Sequence, residues 1–257
     1  ARAIAVRDFL IGHLHRAHDG GIVEVEAVAV YGFQLVSPQQ VVEQTARCGH
    51  PYAQIGLRDG DAFWGAACRA SGHRPGHGRL GQQGLEPGDV DYVFLTHIHL
   101  DHAGGAGLLM QHLPNARCVI HPRGAPHMVS PERLIAGTIG VYGEARTHAM
   151  YGDIVPIEES RVIVAEDEAW FDLNGRAMQA LHTEGHARHH YVLNDPGSRG
   201  VFTGDNFGIS YRELDTINGE FIFPTTTPAS FDPDEAHKSV DRIMACDPEQ
   251  LYLTHYS

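Results

Sequence analysis

The segment Thr96-His97-Ile98-His99-Leu100-Asp101-His102 places four potential metal ligands within six residues. Neutral imidazoles and carboxylates suit zinc and also accept iron or manganese. His97 and His99 are two apart and share a side while the backbone stays extended. Asp101 and His102 follow where the chain turns, so they aim at a second point nearby. Two imidazoles for one ion, then a carboxylate and an imidazole for another, form a dinuclear pattern. Two such ions, about 3.5–4 Å apart, hold a bridging water, and one zinc already lowers the pKa of bound water from about 15.7 to about 7. The bridging hydroxide would be the nucleophile, so the chemistry expected is hydrolysis without a Ser or Cys nucleophile. The chain has 19 His, so chance pairs are expected. This cluster is set apart from them because it caps an apolar run.

That run, Val90-Asp91-Tyr92-Val93-Phe94-Leu95, reads as a buried strand, and Ala103 to Leu109 reads as the start of a helix. The ligands therefore sit on a strand-to-helix turn, where a rigid scaffold lets side chains converge. Three later runs also end on potential ligands. Ala177-Met178-Gln179-Ala180-Leu181 leads into His182-Thr183-Glu184-Gly185-His186. Gly200-Val201-Phe202-Thr203 leads into Gly204-Asp205, and Leu251-Tyr252-Leu253-Thr254 leads into His255.

In this order and at these strand ends, the motifs resemble the metallo-β-lactamase superfamily, from about residue 88 to 257. The resemblance implies that His97, His99 and His186 bind one metal, that Asp101, His102 and His255 bind the second, and that Asp205 bridges them. It implies two divalent ions, zinc first, with iron or manganese as alternatives. Asp101 or Asp205 would carry the proton to the leaving group, and Tyr211 is a further catalytic candidate through a hydrogen bond to a substrate carbonyl or oxyanion. The activity implied is hydrolysis of a small ester-like bond: a lactone, a thioester or a carboxylic ester. His99 stands where the superfamily's flavodiiron oxidoreductases carry Glu, which counts against oxygen reduction. The absence of basic patches counts against the nuclease branches. The short segment after His255 counts against the glutathione-site domain of the hydroxyacylglutathione hydrolases. Two rivals stay open: a persulfide dioxygenase with one iron at His97, His99 or His102, His186 and Asp205, and a non-catalytic metal-binding scaffold.

Other residues are weighed one by one. His190, four after His186, reads either as a residue that orients a ligand or as an ordinary core or surface histidine. His189, His121, His127, His148 and His182 read as non-ligands. Phe207, Tyr211, Phe221, Phe223 and Thr225-Thr226-Thr227 line a substrate cleft or form a loop packed on the fold.

The formal charge of −13, with one Lys, Lys238, among 19 basic residues, excludes a basic nucleic-acid or membrane-surface binder. The expected partner is a small-molecule substrate, with self-association into a homo-oligomer allowed. Cys48, Cys68, Cys118 and Cys246 form no C-x-x-C pair and read as reduced thiols, fitting a cytoplasmic protein. No apolar run reaches the roughly 18–20 residues that span a bilayer.

From Pro87 onward the punctuation is regular. Asn174-Gly175 marks a hairpin, and Asp232-Pro233-Asp234-Glu235 starts a helix with Ala236, Val240, Ile243 and Met244 at helical spacing. Hairpins with helices outside predict an α/β (α+β) chain folded as a four-layer αββα sandwich, one domain over 1–257 with 1–86 atypical. Ile22 to Val30 alternates as a strand. Gly49 to Gly88 has no sustained period, and the family's strand ending in Asp-Thr-Gly is missing; Asp59-Gly60 and Asp61 are the nearest candidates. A diverged first half and a shifted reading frame both explain this. Residues from about 40 to 85 should then fit their structure worst, with His50, Arg58, Arg69 or His73 buried without partners.

Overall fold

The structure is a computed structural model that describes residues 9–13, 28–30, 87–217, 219, 221–226, 228 and 230–255. The expectation for residues 40–85, with His50, Arg58, Arg69 and His73, lies outside the described residues, as do Cys48, Cys68 and most of the Ile22–Val30 strand.

Among the described residues two five-stranded sheets form the centre. The strands of the first are β1 (Phe9–His13), β2 (Val28–Val30), β3 (Val90–Leu95), β4 (Arg117–Ile120) and β5 (Val162–Val164), in the order β2-β1-β3-β4-β5. β3, β4 and β5 run parallel, while β1 pairs antiparallel with β3, Phe9 opposite Leu95. The second sheet holds β6 (Trp170–Leu173), β7 (Arg176–His182), β8 (Tyr191–Asp195) and β9 (Gly200–Gly204) as an antiparallel meander. A short hairpin, β10 (Ile209–Ser210) with β11 (Ile222–Phe223), follows it. β12 (Gln250–Leu253) then adds to the second sheet parallel to β9.

The strand period of two sorts the apolar residues into layers. Phe94 and Val119 of the first sheet meet Phe171, Met178, Ala180, Tyr191, Leu193 and Phe202 of the second. The alternate residues Val93, Leu95, Cys118 and Ile120 point the other way, onto Ala103, Leu109, Met110 and Met128. These come from α1 (Leu100–Ala103), α2 (Ala106–His112) and α3 (Ala125–Val129). Two more exposed helices follow, α4 (Glu132–Tyr142) and α5 (Glu144–Tyr151). On the far face of the second sheet, Leu181, Val192 and Val201 pack on Ile243 of α6 (Pro233–Met244). The result is helix, sheet, sheet, helix, the predicted αββα sandwich. Removing a core ring such as Phe94, 1 % exposed, would cost about 3–5 kcal/mol.

The two sheets are tied beneath the ligand turns. Tyr191 N–H donates to Thr96 O at 2.8 Å, and the Tyr191 hydroxyl donates to Val119 O at 3.0 Å. The β6–β7 turn falls at Asn174-Gly175 as predicted. The Asp232 carboxylate caps α6, accepting from Asp234 and Glu235 N–H, also as predicted. The helix expected from Ala103 breaks at Gly104-Gly105, so α1 is a single turn carrying Asp101 and His102. Cys118 and Cys246 are free thiols, and no described helix is long and apolar enough to cross a membrane.

Candidate metal centre

Four connections leave strand ends on one side of the sandwich, and each delivers ligands. The turn after β3 carries His97, His99, Asp101 and His102. The β7–β8 loop carries His186, β9 ends at Asp205, and β12 ends at His255. His99 Nδ1 lies 3.0 Å from His186 Nε2. His102 Nε2 lies 3.3 Å from Asp101 Oδ2, 3.3 Å from His255 Nε2 and 3.4 Å from Asp205 Oδ2. Asp205 stands between the two groups: Oδ2 is 3.4 Å from His186 Nε2, and Oδ1 is 3.4 Å from His255 Nε2. Three overlapping sets of donors come within 4.8 Å of one another: His97, His99, His186; His97, His102, Asp205; and Asp101, His102, His255. All seven expected ligands are thus brought together.

The donor atoms fit cations. Thr96 Oγ1 lies 3.2 Å from His97 Nδ1, and when the hydroxyl accepts from Nδ1–H the lone pair falls on the other ring nitrogen. That atom, His97 Nε2, is buried without a hydrogen bond, as is Asp205 Oδ1. Unsatisfied buried polar atoms cost about 1–3 kcal/mol each, and a lone pair aimed at another lone pair adds repulsion. Burial holds the His97 ring well below the usual imidazole range, lowers His99, and brings His186 down to about 4. Burial opposes ionisation of Asp205, but His102 and His255 beside it hold its carboxyl well below the usual carboxylate range. Neutral imidazoles around an ionised carboxylate are what divalent ions require.

Buried partners hold the ligands. His190 is fully buried; its Nε2 accepts from Asp205 N–H at 3.1 Å, and its Nδ1 faces Thr183 Oγ1 at 2.9 Å. Of its two readings the structure selects support, directed at Asp205 rather than His186. Asn206 Oδ1 accepts from His186 N–H at 3.0 Å, while Asn206 Nδ2 donates to Thr183 O and Glu184 O. Sequence reasoning missed Asn206, though its place directly after Asp205 was a usable signal. Gly204, at φ 51°, lets the chain pass there: a Cβ would come within 2.5 Å of His190 Nε2 and 2.9 Å of Thr96 Cβ.

The other expected histidines lie elsewhere. His121 and His182 lie against each other with tilted rings, ring centres 4.1 Å apart, and burial brings His121 down to about 4. His148 pairs with Asp153. His189 is half-buried beside His99, ring centres 5.4 Å apart, and Ile98 N–H donates to its Nδ1. Tyr211 follows Ser210, whose N–H donates to His255 O at 3.2 Å; the Tyr211 side chain is 36 % exposed. Phe221 and Phe223 are exposed on and beside β11.

Comparison with known proteins gives the family and the fold. The family model described as the metallo-β-lactamase superfamily matches residues 59–255, beginning earlier than the resemblance read from the motifs. The metallo-β-lactamase fold-containing protein ST1585 of Sulfurisphaera tokodaii is 30 % identical over 171 residues, 65 % of this chain and 60 % of that protein. The chain therefore spans less than two thirds of this relative. The crystal structure of ST1585, there assigned to Sulfolobus tokodaii, superposes with a TM-score of 0.53 at 29 % identity, covering 64 % of this chain and 61 % of that one. The metallo-β-lactamase family protein TTHA1429 from Thermus thermophilus is 21 % identical, with a TM-score of 0.49 over 70 % of this chain and 59 % of its own.

Proposed function

The chain belongs to the metallo-β-lactamase superfamily, and on that premise we propose that it is a dinuclear metal-dependent hydrolase of a small ester-like bond: a lactone, a thioester or a carboxylic ester. The observation that carries this is the convergence of seven His and Asp side chains, with Asp205 between two triads. His97, His99 and His186 would hold one ion, and Asp101, His102 and His255 the other. Inward-turned Asp101 and His255 favour two ions over the single iron of a persulfide dioxygenase. Zinc suits a donor set of imidazole and carboxylate without thiolate, and iron or manganese fits the same atoms. When bound, the ions supply a nucleophile at neutral pH and polarise the substrate oxygen.

The protein's own groups do the rest. Asp205 spreads its negative charge between the two triads. His190 and Asn206 fix the backbones of Asp205 and His186, so the donors need no rearrangement on binding. Asp101, the more exposed of the cluster's two carboxylates, would carry a proton to the leaving group. Tyr211, next to Ser210 whose N–H donates to His255 O, would donate to a developing oxyanion. The test is elemental analysis of purified protein with a panel of lactones, thioesters, carboxylic esters and phosphodiesters. Two ions per chain and turnover of the first three classes are expected. At most one tightly bound ion, or turnover of none of them, overturns the reading.

A further inference from the structure

Beyond β3 the chain runs outside any strand ladder through Thr96, His97, Ile98 and His99. Ile98 is 2 % exposed, so its backbone N–H needs a partner within the protein. That partner is 91 residues away: Ile98 N–H donates to His189 Nδ1 at 3.4 Å. An amide N–H only donates, so Nδ1 accepts and the ring proton sits on Nε2. The same ring is set against both neighbours of Ile98. It stands edge-on to His99, ring centres 5.4 Å apart, and near-parallel to His97 at 6.2 Å. His97 and His99 are themselves edge-on, with centres 4.6 Å apart. One imidazole therefore holds the segment that offers two donors of the first triad. It comes from the loop that offers the third donor, His186, three residues before it. That loop is fixed from other sides. Asn206 Oδ1 accepts from His186 N–H, Asp232 N–H donates to Gly185 O at 2.8 Å, and Arg123 Nη1 donates to Arg188 O at 3.3 Å. The backbone bond from Tyr191 N–H to Thr96 O joins the same two segments ahead of the first ligand. The His189 bond falls between the two ligands, where it sets their spacing.

We propose that His189 is a positioning residue for the first triad: by accepting from Ile98 N–H it fixes His97 and His99 relative to His186. It is no ligand itself, because Nδ1 is committed to the amide. The proposal rests on the reading of the two triads as metal sites. Two variants test it. His189→Leu keeps much of the bulk and removes the acceptor, while His189→Asn returns an acceptor, Oδ1, to the place of Nδ1. Cobalt is titrated into each chelated protein in competition with a chromophoric chelator, so that the two binding steps are read separately. His189→Leu should weaken one step by about ten- to a hundredfold and leave the other unchanged, and His189→Asn should restore the weakened step. A second measurement needs neither metal nor turnover. Exchange of the Ile98 amide hydrogen, followed by NMR in the metal-free protein, should be faster in His189→Leu and return to the wild-type rate in His189→Asn. Unchanged cobalt binding in His189→Leu, equal weakening of both steps, an Asn variant as weak as the Leu variant, or an Ile98 amide indifferent to the substitution overturns the proposal. If the wild type takes up no cobalt, the metal reading of the triads falls instead, and the Ile98 exchange alone decides whether His189 holds the turn.

Discussion

The two triads differ in charge and cover. His97, His99 and His186 are all imidazoles, and burial is the largest influence on each. Asp101, His102 and His255 include a carboxylate, and two of the three are partly open to solvent. Burial raises the Asp101 carboxyl, but His102 beside it wins, so the group is held below the usual range. An ion in the first triad depends on Asp205 for negative charge, whereas one in the second also has Asp101. The first is the more covered of the two, with only His99 partly open; the second is the more accessible to solvent. Division of labour in such a centre follows from cover as much as from ligand type.

The largest effect should come from the residue the triads share. Asp205→Ala should abolish hydrolysis and lower metal content at both triads, read by activity and elemental analysis together. Near-normal turnover in that variant would break the bridging role. Chelators should also remove activity, and so should acid, because protons compete with metal for each imidazole. The sign for the metal-free fold is the same. The His186 ring sits at about 4 in the folded chain against 6.5 for the free side chain, so the unfolded chain takes up the proton first. Its stabilising contribution is complete above 6.5 and is lost as pH falls towards 4. Thermal melts of chelated protein should therefore weaken over that window. Melts that strengthen on acidification, or chelator-resistant activity unchanged between about pH 5 and 8, would contradict the buried-neutral picture. A smaller change should follow Asp101→Asn. The open triad should lose its ion while the closed one keeps its own, so about one ion per chain should remain in place of two. Equal loss from both would erase the distinction drawn between them.

The ligands were legible because each stands where a strand of period two ends. Val93, Phe94 and Leu95 announced both the faces of β3 and the turn that bears His97 to His102. Contacts made only in three dimensions were not legible. In α6 the apolar spacing pointed to Ala236, Val240, Ile243 and Met244, yet the structure buries Ser239 with Ile243 and leaves Met244 half exposed. Ser239 goes inward because its hydroxyl donates to Glu184 O in the loop that carries His186, a partner 55 residues away. Asn206 was overlooked for the same reason: its role comes from the His186 N–H and the Thr183 and Glu184 carbonyls it faces.

The smallest effect should be at the rim of the open triad. Tyr211 extends from Ser210, whose backbone is bonded to that of His255, so the residue is anchored to the second triad by main chain. Its ring is 36 % exposed, and Tyr211→Phe keeps that ring, so removing the hydroxyl should leave metal content unchanged. Removing a preorganised oxyanion donor costs about a hundred- to a thousandfold, and a donor partly open to water contributes less, about ten- to a hundredfold. Tyr211→Phe should therefore lower kcat by about that factor at most, with two ions still bound. A loss as deep as that of Asp205→Ala would place the phenol among the ligand-supporting groups and move the boundary of the open triad outward to include β10. No loss at all would remove Tyr211 from the groups that act on the substrate.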